Sequence, residues 1–154
     1  MEHKTKVNAE DGQLDIHITR DFDLPLDLLF KAYEDRNLFE EWMGTRILKW
    51  ACESHGYFAF ETSHDGQVVF RANGTFHDVV PLKKIIRTFD MEDPRIPAQL
   101  EFLEFESTGE DTSRLIMHMI FRTVEARNEL LKRPFAWGLS MAHDRLQEIV
   151  QNKQ

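Results

Sequence analysis

At 154 residues, 42% of them hydrophobic and twelve of them phenylalanine, the chain suffices for one domain (1–154) with a sizeable core, which excludes intrinsic disorder. A net charge of −8, from 27 acidic against 19 basic residues with no basic run, excludes a nucleic-acid-binding face and an anionic-membrane surface. The single cysteine, Cys52, excludes an internal disulfide and a cysteine-based zinc site, and no apolar run approaches the roughly 18 residues of a membrane span.

The N-terminal stretch MEHKTKVNAEDGQL has no signal-peptide core, so a cytoplasmic protein, monomer or homodimer, is expected. Residues 1–13 are polar and are expected to fray. LDIHITR then alternates, with Leu14, Ile16 and Ile18 on one face and Asp15, His17 and Thr19 on the other, which predicts a half-buried strand. In DLPLDLLFKAYED, Pro25 fits the first turn of a helix, and Leu29, Ala32 and Tyr33 share a face. NLFEEWM predicts a second short helix with Leu38, Phe39, Trp42 and Met43 on its inner side.

From residue 45 to residue 123 the period is two. Six strands are predicted: TRILKWACE, GYFAFETS, VVFRANGTFHDVVP, KKIIRTFDME, QLEFLEFES and SRLIMHMIFRT. Asp65-Gly66 marks a hairpin turn, and Gly74 inside the third of these strands signals a bulge or sharp bend. Residues 124–150 return to helical spacing, with Phe135, Leu139, Ala142, Leu146 and Ile149 in one stripe and Pro134 kinking the helix or starting its main body. The order predicts an α+β domain: a seven-stranded antiparallel sheet, two short helices after strand 1, and a long C-terminal helix covering the sheet.

Gly138-Leu139-Ser140-Met141-Ala142 has the G-x-S-x-G spacing of a serine-hydrolase nucleophile elbow. An elbow needs a strand running into the serine. Ser140 sits inside helical spacing, and the stretch reads as part of the covering helix.

In combination, a set of motifs along the chain resembles one family. They are the segment DFDLPLDLLFKAYEDRNLFEEW, then Asp65-Gly66, Phe70, Gly74, Phe76, Asp78-Val79-Val80-Pro81 and Ile86-Arg87-Thr88-Phe89. Ser113-Arg114-Leu115, Glu125-Ala126-Arg127-Asn128, and Gly138 through Arg145-Leu146 follow. Taken in order they are similar to the branch of the START-like, SRPBCC superfamily named after the activator of the heat-shock-protein-90 ATPase (homologue 1-like), over about residues 14–150. Three departures fall near the expected cavity, one of them two extra residues between Phe70 and Gly74. Ser54-His55-Gly56 stands where Gly-Gly is frequent, and Arg133–Gly138 stands where a G-M-x-x-G pattern is common. The resemblance implies the helix-grip (START-like, birch-pollen-allergen-like) fold, often with an apolar cavity. It carries no shared catalytic signature.

Seven histidines are scattered without the i, i+4 spacing of a metalloprotease helix, so no metal and no cofactor are expected. His118 is a polar anchor in a cavity, a general base, or a satisfied histidine. Glu101, Glu104 and Glu106 read as a solvated strand edge. If the implied cavity exists, Trp42, Phe60, Phe70, Phe76, Phe89, His118, Trp137 and Met141 are expected to line it, the last two because they stand one turn apart beside the core stripe. Arg71 and Asn73 are further polar candidates. The reading is a binder of a small apolar molecule. The alternatives are a polyketide-cyclase-like or hydrolase-like enzyme in the same cavity, or a co-chaperone-like domain contacting a chaperone through its surface.

Overall fold

The computed structural model describes residues 3–154. Strand β2 (Asp15–Phe22) follows its alternation: Ile16, Ile18 and Phe22 are fully buried, while Asp15, His17 and Thr19 face outward. Two short helices follow, α1 (Leu26–Glu34) after Pro25, and α2 (Arg36–Met43). The Asp35 carboxylate caps α2 by accepting the Leu38 amide at 3.0 Å, and Gly44, at φ 66°, ends it in the left-handed region.

Six strands come next: β3 (Arg46–Trp50), β4 (Tyr57–His64), β5 (Gln67–Val80), β6 (Lys84–Phe89), β7 (Gln99–Ser107) and β8 (Ser113–Ile120). From β4 onward each pairs antiparallel with the one before it. β8 closes back on β2, with His17 directly opposite His118. Within β5, only glycine fits at position 74. A Cβ there would lie 2.0 Å from the Thr88 carbonyl oxygen and 2.7 Å from the Phe58 ring.

Among the described residues the sheet has eight strands, one more than the sequence predicts, in the order β1 (Lys6–Asn8), then β2-β8-β7-β6-β5-β4-β3. The extra strand is β1, inside the segment expected to fray, and it pairs with His17–Thr19 of β2. Thr5 explains why this segment is held down: its hydroxyl bonds the fully buried His143 at 2.6 Å. With only Val7 turned to the core, a three-residue edge strand is too short for alternation to mark.

The predicted helical stretch 124–150 is two helices. α3 (Val124–Leu131) is capped by the Thr123 hydroxyl, and α4 (Phe135–Asn152) starts after Pro134. Arg127, in the Glu125–Asn128 motif, is buried and donates to the Asp15 carbonyl at 2.8 Å and the Glu10 carbonyl at 2.5 Å, tying α3 to the start of β2. α4 gives Ala142, Leu146 and Val150 to the common core, and the Arg145 Nε donates to the Trp42 carbonyl at 3.0 Å, joining α4 to α2. Among the described residues no helix is long and apolar enough to cross a membrane.

Candidate functional site

Between the inward face of the sheet and α4 lies a cavity of about 430 Å³. That is within the roughly 300–1,000 Å³ of small-molecule sites. Parity and helical spacing select its walls. β8 contributes Met117 and Met119, β6 contributes Phe89, and α2 contributes Phe39, Trp42 and Met43. From α4 come Phe135, Gly138, Leu139, Ala142 and Arg145, a line at spacings of three and four.

One corner of this apolar space is polar. Arg87 and Glu101 stand opposite each other in the β6–β7 register, and both are buried. Arg87 Nε donates to one oxygen of Glu101 at 2.9 Å, and the Gln99 side-chain amide donates to the other at 2.6 Å. The guanidinium lies 5.2 Å from the Phe89 ring centroid and 5.7 Å from that of Phe58, within cation–π range. Its terminal nitrogens, Nη1 and Nη2, find no protein acceptor among the described residues, and the buried Gln99 Oε1 is likewise unpartnered. The corner is therefore neutral overall but keeps N–H donors unspent.

Two neighbouring titratable groups, Tyr33 and Cys52, are held neutral. Burial raises the Tyr33 phenol above its ordinary range and pushes the Cys52 thiol up to about 12, so Cys52 is no thiolate nucleophile at neutral pH. Ser140 lies mid-way along α4 with no strand leading into it. The G-x-S-x-G spacing is thus part of a helix.

Of the residues picked from sequence, Trp42, Phe70 and Phe89 line the cavity. Phe60 and Phe76 are buried in the aromatic layer behind it, with Phe60 6.0 Å from Phe89 and Phe76 5.2 Å from Phe58. The structure places three others elsewhere. Trp137 is 67% exposed and Met141 41% exposed. At about 100° per residue they fall on the side of α4 away from Leu139, Ala142 and Leu146. His118 shares the outward face of β8 with Ile116 and Ile120, while Met117 and Met119 take the cavity side. Arg71 points outward too, paired with Glu61 at 3.5 Å, and Asn73 bonds Glu92 at 3.2 Å.

Arg87, Gln99 and Glu101 were the polar residues that sequence reading missed, and Glu101 is a correction. It is 2% exposed at the cavity wall, whereas Glu104 and Glu106 face water. The available signal was parity: Glu101 is in phase with Leu103 and Phe105, and Arg87 with Ile85 and Phe89.

Residues 23–151 match the sequence pattern of the family described as "Activator of Hsp90 ATPase homolog 1-like protein". The chain belongs to that family. Solved structures share its helix-grip fold. Protein Ms6760 from Mycobacterium smegmatis is 16% identical with a TM-score of 0.83, covering 95% of this chain and 96% of that one. A protein from Rhodobacter sphaeroides is 15% identical with a TM-score of 0.85, covering 97% and 99%. Protein NE0264 from Nitrosomonas europaea is 19% identical with a TM-score of 0.78, covering 94% and 98%. At these identities the likeness to this member of the activator-homologue family is one of fold. No protein of curated function matches it. Hydrophobic ligands are commonly bound within this family's fold.

Proposed function

We propose that this protein binds one small, largely hydrophobic molecule in the cavity between the sheet and α4, with an uncharged hydrogen-bond acceptor of that molecule turned toward Arg87. The observation that carries the reading is a largely apolar cavity of about 430 Å³ with one buried polar corner whose guanidinium keeps unspent donors; the other arginines of its lining, Arg133 and Arg145, are not buried. Ligand pockets combine apolar walls with a few placed polar groups. Glu101 already neutralises Arg87, so a carboxylate on the ligand would set a second negative charge beside the first, and a carbonyl or ether oxygen would not. The test is titration of the folded protein with Nile red, an uncharged apolar dye bearing a carbonyl, alongside native mass spectrometry of protein purified from its own source. Saturable 1:1 binding that Ala142→Trp abolishes supports the reading. Absence of dye binding, with no retained small molecule, overturns it.

A second reading, surface contact with a chaperone ATPase as the family description suggests, is favoured by the exposure of Trp137 and Met141. It predicts that Trp137→Ala and Met141→Ala change stimulation of a heat-shock-protein-90 ATPase, while Ala142→Trp does not.

A further inference from the structure

On the sheet face turned away from the cavity, three metal-binding side chains converge. We propose that Asp15, His17 and His118 form a site for a divalent transition-metal ion, Zn²⁺ in the first instance, with coordination positions left open to water or an external ligand. The pairing of β2 with β8 sets His17 directly opposite His118, and strand parity puts Asp15 on the same outward face as His17. The two imidazoles stack at 4.3 Å with only 9° between their planes. Both Nε2 atoms approach one carboxylate oxygen, Oδ2 of Asp15, at 2.8 Å from His118 and 3.1 Å from His17. One ligand atom from each residue lies within 4.8 Å of the others.

The geometry is close to what an ion requires. Metal–ligand bonds of about 2.0–2.1 Å in a tetrahedral shell set neighbouring donor atoms about 3.3 Å apart. The two nitrogen–oxygen separations, 2.8 and 3.1 Å, are within about half an ångström of that value. Near-parallel rings aim their Nε2 lone pairs side by side, so the remaining adjustment is for the His17 ring, 54% exposed, to swing out of the stack until both nitrogens face one ion. The site stands on a sheet, with support behind it. Arg127 holds the Asp15 backbone at 2.8 Å, and Phe102 stacks on His118 at 6.0 Å.

The proton arithmetic also closes. Neither Nδ1 hydrogen-bonds to protein among the described residues. A neutral ring can therefore move its proton from Nε2 to Nδ1 and present the Nε2 lone pair to the ion with no change of charge. The ion takes the place of the two N–H protons that converge on Oδ2. Asp15 supplies the third ligand atom from its carboxylate oxygen Oδ2. Two imidazoles and one carboxylate suit Zn²⁺, Ni²⁺ or Cu²⁺, whereas Mg²⁺ and Ca²⁺ call for oxygen ligands.

The experiment is calorimetric titration of the full-length protein with Zn²⁺ in a non-chelating buffer, together with NMR of the histidine ring protons. One equivalent should bind, shifting the ring signals of His17 and His118. His17→Ala and Asp15→Asn should each weaken binding at least about tenfold. His64→Ala, removing an exposed histidine at the end of β4, should leave binding unchanged. Thermal melts followed by circular dichroism confirm that each variant is folded. No binding, undiminished binding in folded His17→Ala, or displacement of Zn²⁺ by equimolar Mg²⁺ overturns the proposal.

Discussion

Gly138 offers a perturbation in which stability and ligand binding move in opposite directions. It lies in the first turns of α4, on the line of residues that borders the cavity, and a Cβ added there meets no atom within 4 Å. Glycine inside a helix costs about 0.8–1.0 kcal/mol relative to alanine, and leucine is nearly as good a helix former as alanine. Gly138→Ala and Gly138→Leu should therefore each stabilise the fold by about 1 kcal/mol, raising Tm by about 2–4 °C for a chain of this size. The alanine is too small to fill the space. The leucine extends into the cavity mouth and should weaken Nile red binding, while the alanine variant keeps it. Circular-dichroism melts and dye titrations on the two variants make the comparison. A Gly138→Leu protein that melts below wild type would mean this helix face is packed shut. One that melts higher yet binds the dye as wild type would mean the dye sits elsewhere.

Other consequences follow from buried groups. Leu146 is fully buried between α4 and the sheet, so Leu146→Ala should cost about 2–5 kcal/mol in urea unfolding, and a loss below about 1 kcal/mol would contradict its core position. Glu101→Leu strands the buried Arg87 cation and should cost about 3–5 kcal/mol, whereas adding Arg87→Met to it should restore most of that; simple additivity of the two changes would refute the coupling. Burial, and secondarily the Arg20 charge, lowers the pKa of His143 to about 3, while the unfolded chain takes up that proton near 6.5. Its contribution is thus complete above pH 6.5 and is lost as the pH falls from there toward 3. Between pH 7.5 and 4.5 the wild type should lose more stability than His143→Gln, and equal losses would contradict a neutral buried imidazole.

Alternation made the strands legible but did not say which face of each points inward. QLEFLEFES carries Leu and Phe on both faces, so hydrophobicity alone could not distinguish the set Gln99, Glu101, Leu103 and Phe105 from the set Leu100, Phe102 and Glu104. The buried acid was consequently read as a solvated one. The same ambiguity affects SRLIMHMI, where His118 sits among apolar residues on either reading. In α4 the apolar residues spread beyond one face, and nothing local separates Met141, which meets water, from Leu139, which meets the cavity. The meeting of His17 with His118 depends on β8 closing back onto β2, a pairing between distant segments that no spacing in the chain encodes. By contrast, the helix starts and stops at Asp35, Gly44 and Thr123 are local chemistry. The elements they bound accordingly fall where the sequence puts them.

The three tryptophans occupy three different environments, which gives the molecule its own optical reporters. Trp42 is buried at the cavity wall, with its indole N–H donating to the Ala32 carbonyl at 2.7 Å. Trp50 is half-buried, 4.9 Å from Phe39 and 5.6 Å from Phe76. Trp137 stands in solvent on the far side of α4. Intrinsic fluorescence therefore divides by place: iodide reaches Trp137 and quenches its red-shifted emission, while the blue-shifted remainder comes from the two indoles near the core. An occupant of the cavity touches only Trp42. Its arrival is readable in that quencher-resistant fraction without attaching any label to the protein.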